Sequence, residues 1–97
     1  MRRLTFHPEA EEELDRSTEF YLTESQKLGN DFAAEIARLL ESIQQNPEAG
    51  QVLNGNLRRR LCSRFPFAII YRFSETELYV VAVVELHRRP DYWRHRG

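Results

Sequence analysis

Residues 57–87 read LRRRLCSRFPFAIIYRFSETELYVVAVVELH, and the fold turns on how this stretch divides. Apolar and polar side chains recur there with a period of two, the spacing at which neighbours on a strand point to opposite faces. The spacing predicts strands over 57–64, 67–73 and 78–87. Phe65-Pro66 and Ser74-Glu75-Thr76-Glu77 are short enough to be hairpin turns, so the three strands should be antiparallel neighbours. The third strand carries LYVVAVVEL (78–86) and is almost wholly apolar, which suits burial on both faces at the centre of a sheet.

Upstream of Asn46-Pro47 the spacing lengthens to three and four. Phe32, Ile36, Leu39, Leu40 and Ile43 share one helical face, and Pro47 stops the helix. A second helical face runs through Ala10, Leu14, Ser17, Thr18 and Tyr21. Its start is marked by Pro8, which loses no needed N–H in the first turn, and by Glu9, Glu11, Glu12 and Glu13, which suit the positive end of the helix dipole. Ser25 to Asn30 reads as the turn between the helices: Gly29 tolerates a left-handed backbone and Asn30 is a good N-cap. Helices are thus expected over 8–24 and 30–46, forming an αα-hairpin. Residues 3–6 (RLTF) make a short strand, whereas Gly50 and Asn54-Gly55-Asn56 read as loop.

The expected class is α+β, in the order β-α-α-β-β-β, with the helical hairpin packed on one face of a small antiparallel sheet. The other face is left partly open, a natural binding surface. Leu14, Tyr21, Phe32, Ile36, Leu40, Ile43, Ile69, Tyr71, Val80, Ala82 and Val84 should form the core.

The 97 residues suffice for one domain, 1–97. A chain this short buries only about 60–70% of the surface that its unfolded form exposes, so its 41% apolar residues must pack efficiently. The lone cysteine, Cys62, cannot close an internal disulfide, and no Cys/His spacing suggests zinc. The amino-terminal MRRLTFHPEA lacks the apolar run of a signal peptide, and nothing approaches the roughly 20 apolar residues of a membrane span. A reducing cytoplasm is expected, with no membrane, metal or cofactor. The net charge of −1 conceals an asymmetry: residues 1–50 hold 5 basic and 11 acidic side chains, residues 51–97 hold 9 and 4. If the halves occupy different faces, one face attracts anions.

Two basic groups stand out. Alternation puts Arg58, Arg60 and Arg64 on one side of their strand and Arg59 on the other. Three guanidinium groups in a row make an anion site, although a strand edge blunted by charge looks the same. The ending HRRPDYWRHR (87–96) interleaves Arg88, Arg89, Arg94 and Arg96 with Tyr92 and Trp93, a mixture that suits binding of a target or partner. The plainer alternative is that Tyr92 and Trp93 staple the chain end to the core. His87 is placed to act as a general acid or base, though a lone histidine there is more often a surface residue. The glutamates of 9–13 read as a solvated helix start. No Ser/His/Asp grouping, glycine-rich phosphate loop or metal cluster is visible.

RFPFAIIYRF (64–73), followed after the next strand by HRRPDYWRHR and preceded by a helix pair with the turn SQKLG, resembles the RelE/ParE superfamily of type II toxin–antitoxin toxins. The likeness spans essentially the whole chain and is strongest to the ParE-like, plasmid-stabilisation branch. It implies two helices on one side of a small antiparallel sheet, and a cognate antitoxin whose segment wraps the toxin. RelE-like members cleave mRNA on the ribosome, and ParE-like members poison DNA gyrase. Carried over position by position, Arg59 and Arg88 match basic residues of the nuclease site, and Tyr92 could supply its terminal tyrosine. A further basic position falls on Leu61, and the arginine that opens the following strand falls on Ala68. Alanine cannot stabilise a pentavalent phosphate. No catalytic residue is therefore assigned; a nuclease would have to draw on Arg59, Arg88, Tyr92 and His87. The resemblance implies gyrase inhibition rather than an enzyme, with Arg58, Arg60, Arg64, Arg88, Arg89, Tyr92, Trp93, Arg94 and Arg96 meeting target or partner. The alternatives are a ribosome-dependent endoribonuclease and a non-toxic binding module of the same fold.

Overall fold

The computed structural model describes residues 1–88 and 91–96. Its elements are β1 (Arg3–Phe6), α1 (Pro8–Glu24), α2 (Gln26–Gln45), a 3-10 turn (Pro47–Ala49), β2 (Gln51–Asn54), β3 (Leu57–Leu61), β4 (Phe67–Phe73), β5 (Glu77–Glu85) and a closing 3-10 turn (Arg94–Arg96). The strands form one sheet in the order β1-β5-β4-β3-β2. β2 to β5 pair antiparallel as a meander, and β1 lies parallel to β5. The α+β reading holds, with one strand more than expected and one parallel pairing.

The differences have local causes. α2 begins at Gln26, not Asn30, because Ser25 is extended and its hydroxyl accepts from the Leu28 amide at 2.9 Å, an N-cap five residues before the expected one. Gly29 therefore sits inside the helix. It is kept small by contact, since a Cβ there would overlap the Leu22 side chain and lie 2.9 Å from the Leu22 Cα. Residues 51–54, read as loop, pair with β3 through a turn in which Gly55 takes φ +56°. β3 stops at Leu61, not 64, because Glu35 of α2 captures the next amides. Its Oε2 accepts from Ser63 N at 2.5 Å and Arg64 N at 2.9 Å, and the chain bends off the sheet.

The helices cover one sheet face over a core of Phe32, Ile36, Ile43, Ile69, Tyr71 and Val80. Tyr21, Phe32, Phe65 and Phe67 pack ring to ring at its centre, with centroids 4.9–5.2 Å apart for the closest pairs. Leu14, Tyr21 and Leu40 are half-buried at its border. A bulge in the β4–β5 ladder breaks the alternation near Val81. Val80 and Val83 consequently join the helix-side core, while Ala82 and Val84 face the other way. That second face is only partly open. Residues 92–93 fold back over it, and Trp93 completes a small second core with Leu57, Ile70, Val81, Ala82 and Val84.

Candidate functional site

The arginines of β3 are sorted by strand alternation, and each sort meets a different surface. Arg58 and Arg60 share one side of the strand, as expected; it is the helix side, and both are engaged there. Arg58 Nη1 donates to the carbonyls of Glu48 (2.9 Å) and Gly50 (3.1 Å), and Arg60 Nη2 donates to Ser42 Oγ at 3.0 Å. Arg64 lies beyond the strand. It rests over the Phe65 ring and approaches Asp31 at 3.4 Å. The expected row of three guanidinium groups is thus split: two pin the layers together, and the third flanks a groove shared with Arg38 and Glu35.

Glu35 in that groove is 5% exposed. Burial alone would raise its carboxyl, but the Arg64 and Ser63 amides outweigh it and hold the group below the usual carboxylate range. Cys62 nearby is pushed up to about 11, by burial and then by Glu35, so its thiol stays protonated and unreactive.

Arg59 points to the other face, into a cleft of about 190 Å³. Ala68, Ile70, Val84 and Trp93 line its interior, and Arg59, Arg88 and Arg94 surround it. The structure thus brings Arg59, Arg88 and Ala68, which lie far apart in sequence, to one cavity. Leu61 pairs with Ala68 across the ladder, shares its face, and is 54% exposed. Arg59 Nη2 donates to Gln51 Oε1 at 2.6 Å, while its buried Nε has no partner among the described residues. Arg88 lies over the Tyr92 ring at 4.4 Å. Arg94 lies over the Trp93 ring at 5.4 Å and pairs with Asp91 at 3.0 Å. Asp91 has φ 73°, a left-handed conformation that aspartate tolerates better than most residues.

The chain end is anchored more firmly than its composition suggests. Trp93 is 5% exposed, so it belongs to the second core rather than to a surface free to meet a partner. Arg96 likewise is no free cation. Its side chain is 5% exposed, donating to Glu13 Oε1 (3.0 Å) and Oε2 (2.9 Å) and to the Val81 carbonyl at 3.3 Å. Glu13 Oε1 also accepts from Val83 N at 2.9 Å. These two side chains occupy the edge of β5 where β1 has ended, so the glutamates of 9–13 are not uniformly a solvated helix start. A signal was available, because Glu13 stands three residues after the buried Ala10, on the inner face of α1. Glu35 stands in the same relation to Phe32.

Two of the groups that a nuclease would have to draw on are poorly placed for catalysis. His87 is exposed, contacts Glu85 through Nδ1 at 2.5 Å, and does not line the cleft. The Tyr92 hydroxyl is buried and makes no well-formed hydrogen bond among the described residues. Burial, and then the Glu13 carboxylate, push it up to about 12, so it remains a neutral phenol near neutral pH. Arg89 lies outside the described residues. Among the described residues no group of His, Cys, Asp and Glu could hold a metal ion, and no helix is long and apolar enough to cross a membrane.

The family model of the ParE toxin of type II toxin-antitoxin system, parDE, matches residues 4–92. No curated protein sequence matches the chain. Among solved structures, a chain of the chromosomal ParDE TA system from P. aeruginosa is similar in fold, with a TM-score of 0.74 at 18% identity, covering 89% of this chain and 97% of that one.

Proposed function

This chain belongs to the ParE toxin family of type II toxin–antitoxin systems, and from that membership we propose that it inhibits DNA gyrase and is neutralised by a cognate antitoxin. Residues 1–97 act as one domain in the cytoplasm. The observation that carries the choice of gyrase over RNA is Ala68 inside the cleft. A phosphoryl-transfer site needs fixed positive charge where the pentavalent phosphate develops, and losing one such group costs about 10²–10³-fold in rate. Here the position offers only a methyl group, Leu61 beside it offers no charge, and the Tyr92 hydroxyl is buried and neutral. Arg59 and Arg88 can bind an anion but do not complete a set for cleavage. Their surroundings support binding of a protein target.

The antitoxin reading draws on the opposite side. α1 and α2 leave an apolar groove of about 520 Å³ lined by Leu14, Thr18, Leu22, Ala33, Ile36 and Leu40. The groove of Arg38, Arg60 and Arg64 lies across α2 from it. An apolar and acidic antitoxin segment crossing the hairpin would meet both, and its association rate should fall as salt rises.

The test is expression without antitoxin, followed by purified assays. The toxin should block supercoiling by gyrase and leave ribosome-bound mRNA intact. Codon-specific mRNA cleavage with untouched supercoiling would reverse the reading. Ala68→Arg provides a second check: if a sensitive RNA-cleavage assay registers no change, the missing arginine is not what separates this chain from a nuclease.

A further inference from the structure

We infer that the cleft between β4, β5 and the chain end is a docking pocket for one large apolar side chain of the target protein, flanked by a carboxylate. Only the identity of that target rests on the gyrase reading. Three observations point to this ligand chemistry.

The first is size and lining. At about 190 Å³ the cleft is smaller than the roughly 300–1,000 Å³ of sites that enclose a whole small molecule. Its interior is apolar, formed by Ile70, Val84 and Trp93. Leu86, 45% exposed, and Leu61, 54% exposed, extend that apolar surface outward at the rim. An apolar pocket ringed by arginine and next to a fixed tryptophan is the setting in which a single inserted side chain contributes most of an interface's binding energy.

The second is charge. Arg59, Arg88 and Arg94 surround the cleft, against one carboxylate, Asp91, which Arg94 already neutralises. Arg59 keeps a buried Nε donor without a partner among the described residues. A carboxylate next to the inserted side chain would satisfy this excess of donors with charge-assisted hydrogen bonds.

The third observation weighs against the obvious rival, a nucleotide. Nucleobases bind by stacking on open aromatic faces. Here Arg94 lies over Trp93, and Arg88 and Arg96 lie over Tyr92 at 4.4 and 5.2 Å, so the rings that a base would stack on carry the chain's own guanidinium groups.

The test uses the whole chain and two probes, a capped glutamyl-leucine peptide and adenosine 5′-monophosphate. Two-dimensional NMR follows the amides of Ile70 and Val84, while the fluorescence of Trp93, the only tryptophan, reports the cleft directly. The peptide should shift these signals at millimolar concentration, and Ala68→Leu, which fills the cleft, should abolish the response. In a supercoiling assay Ala68→Leu should raise the half-inhibitory concentration by about 30-fold, the ratio expected for a lost hot-spot contact. The exposed rim variant Arg88→Glu should raise it about tenfold or more at an unchanged melting temperature, which keeps the test independent of how Ala68→Leu folds. Stronger shifts with the mononucleotide, or no response to the peptide, would overturn the proposal. If the wild type inhibits gyrase and Arg88→Glu inhibits equally well, the cleft is not the docking site although gyrase remains the target. If the wild type leaves gyrase untouched, the gyrase reading fails, and the peptide titration still decides the chemistry of the cleft.

Discussion

Arg96→Ala should destabilise the protein by about 3 kcal/mol, even though the residue stands one position from the chain end. The side chains of Arg96 and Glu13 are 5% and 10% exposed and meet in a two-pronged ion pair. Removing one member of a buried pair strands the other's charge, at a cost of about 3–5 kcal/mol. Glu13 would keep the Val83 amide, which argues for the low end. The whole chain has about 5–15 kcal/mol in hand at this size, so the loss is a large share. At about 4–8 °C per kcal/mol for a domain of this length, the melting temperature should drop by about 12–24 °C. Far-UV circular dichroism gives the global transition, and Trp93 fluorescence shows whether the chain end lifts off first. The cycle closes with Glu13→Ala and the double variant, which should cost less than the two single losses added together. If Arg96→Ala melts within about 0.5 kcal/mol of the wild type and Trp93 stays buried, the ion pair does not hold the chain end, and the argument from burial is wrong.

Three further outcomes follow from particular contacts. Gly29→Ala should destabilise by about 1–2 kcal/mol in chemical denaturation, because overpacking against the Leu22 backbone outweighs the roughly 1 kcal/mol that alanine gains in a helix; a more stable variant would mean that α1 and α2 can separate freely. Trp93→Ala should cost about 3–5 kcal/mol and lose toxicity and melting temperature together, since Trp93 is a core residue that also walls the cleft; lost toxicity at an unchanged melting curve would return it to the surface. Tyr92 sits at about 12 in the fold against about 10 when unfolded, so the unfolded chain gives up this proton first and stability falls as pH rises from about 10 to 12. In Tyr92→Phe that alkaline fall should be shallower, though still present because Tyr21 and Tyr71 are also raised; an identical slope would show that Tyr92 is not buried in solution.

The helical hairpin and the meander were legible because long periodic segments carry their own signal: Phe32, Ile36 and Ile43 at helical spacing, and FAIIYRF at a period of two. The misses came where a side chain distant in sequence decides the backbone. Nothing local stops β3 at Leu61. Glu35, some 28 residues earlier, does so by taking the Ser63 amide. Nothing in QVLN, four residues long, announces a strand until β3 is beside it. Burial of Val80, Ala82 and Val84 was legible, but which face each one takes was not, because a bulge leaves no mark in an unbroken apolar run. At the cleft, Arg59, Ala68 and Arg88 could be singled out from the resemblance, but their convergence depends on the ladder register, and the cavity depends on where Trp93 docks.

The charge asymmetry was legible too, yet its meaning changes once the chain is folded. A chain acidic in its first half and basic in its second suggests a molecule with a broad anion-attracting face. Folding instead sets parts of the halves against each other: Arg64 meets Asp31, and Arg96 meets Glu9 and Glu13. Arg58 and Arg60 turn to carbonyls and a hydroxyl of the first half. Much of the asymmetry is therefore spent in joining helices, sheet and chain end, and the buried Arg96–Glu13 pair contributes more to that than the exposed ones, which are each worth about 0–1 kcal/mol. The second half keeps its less committed positive charge around a small volume, with Arg59 and Arg88 beside the cleft. A partner is then selected less by long-range attraction to a basic surface than by what fits between those two arginines, and this is why the side chain that enters the cleft, rather than the net charge of its carrier, should set specificity.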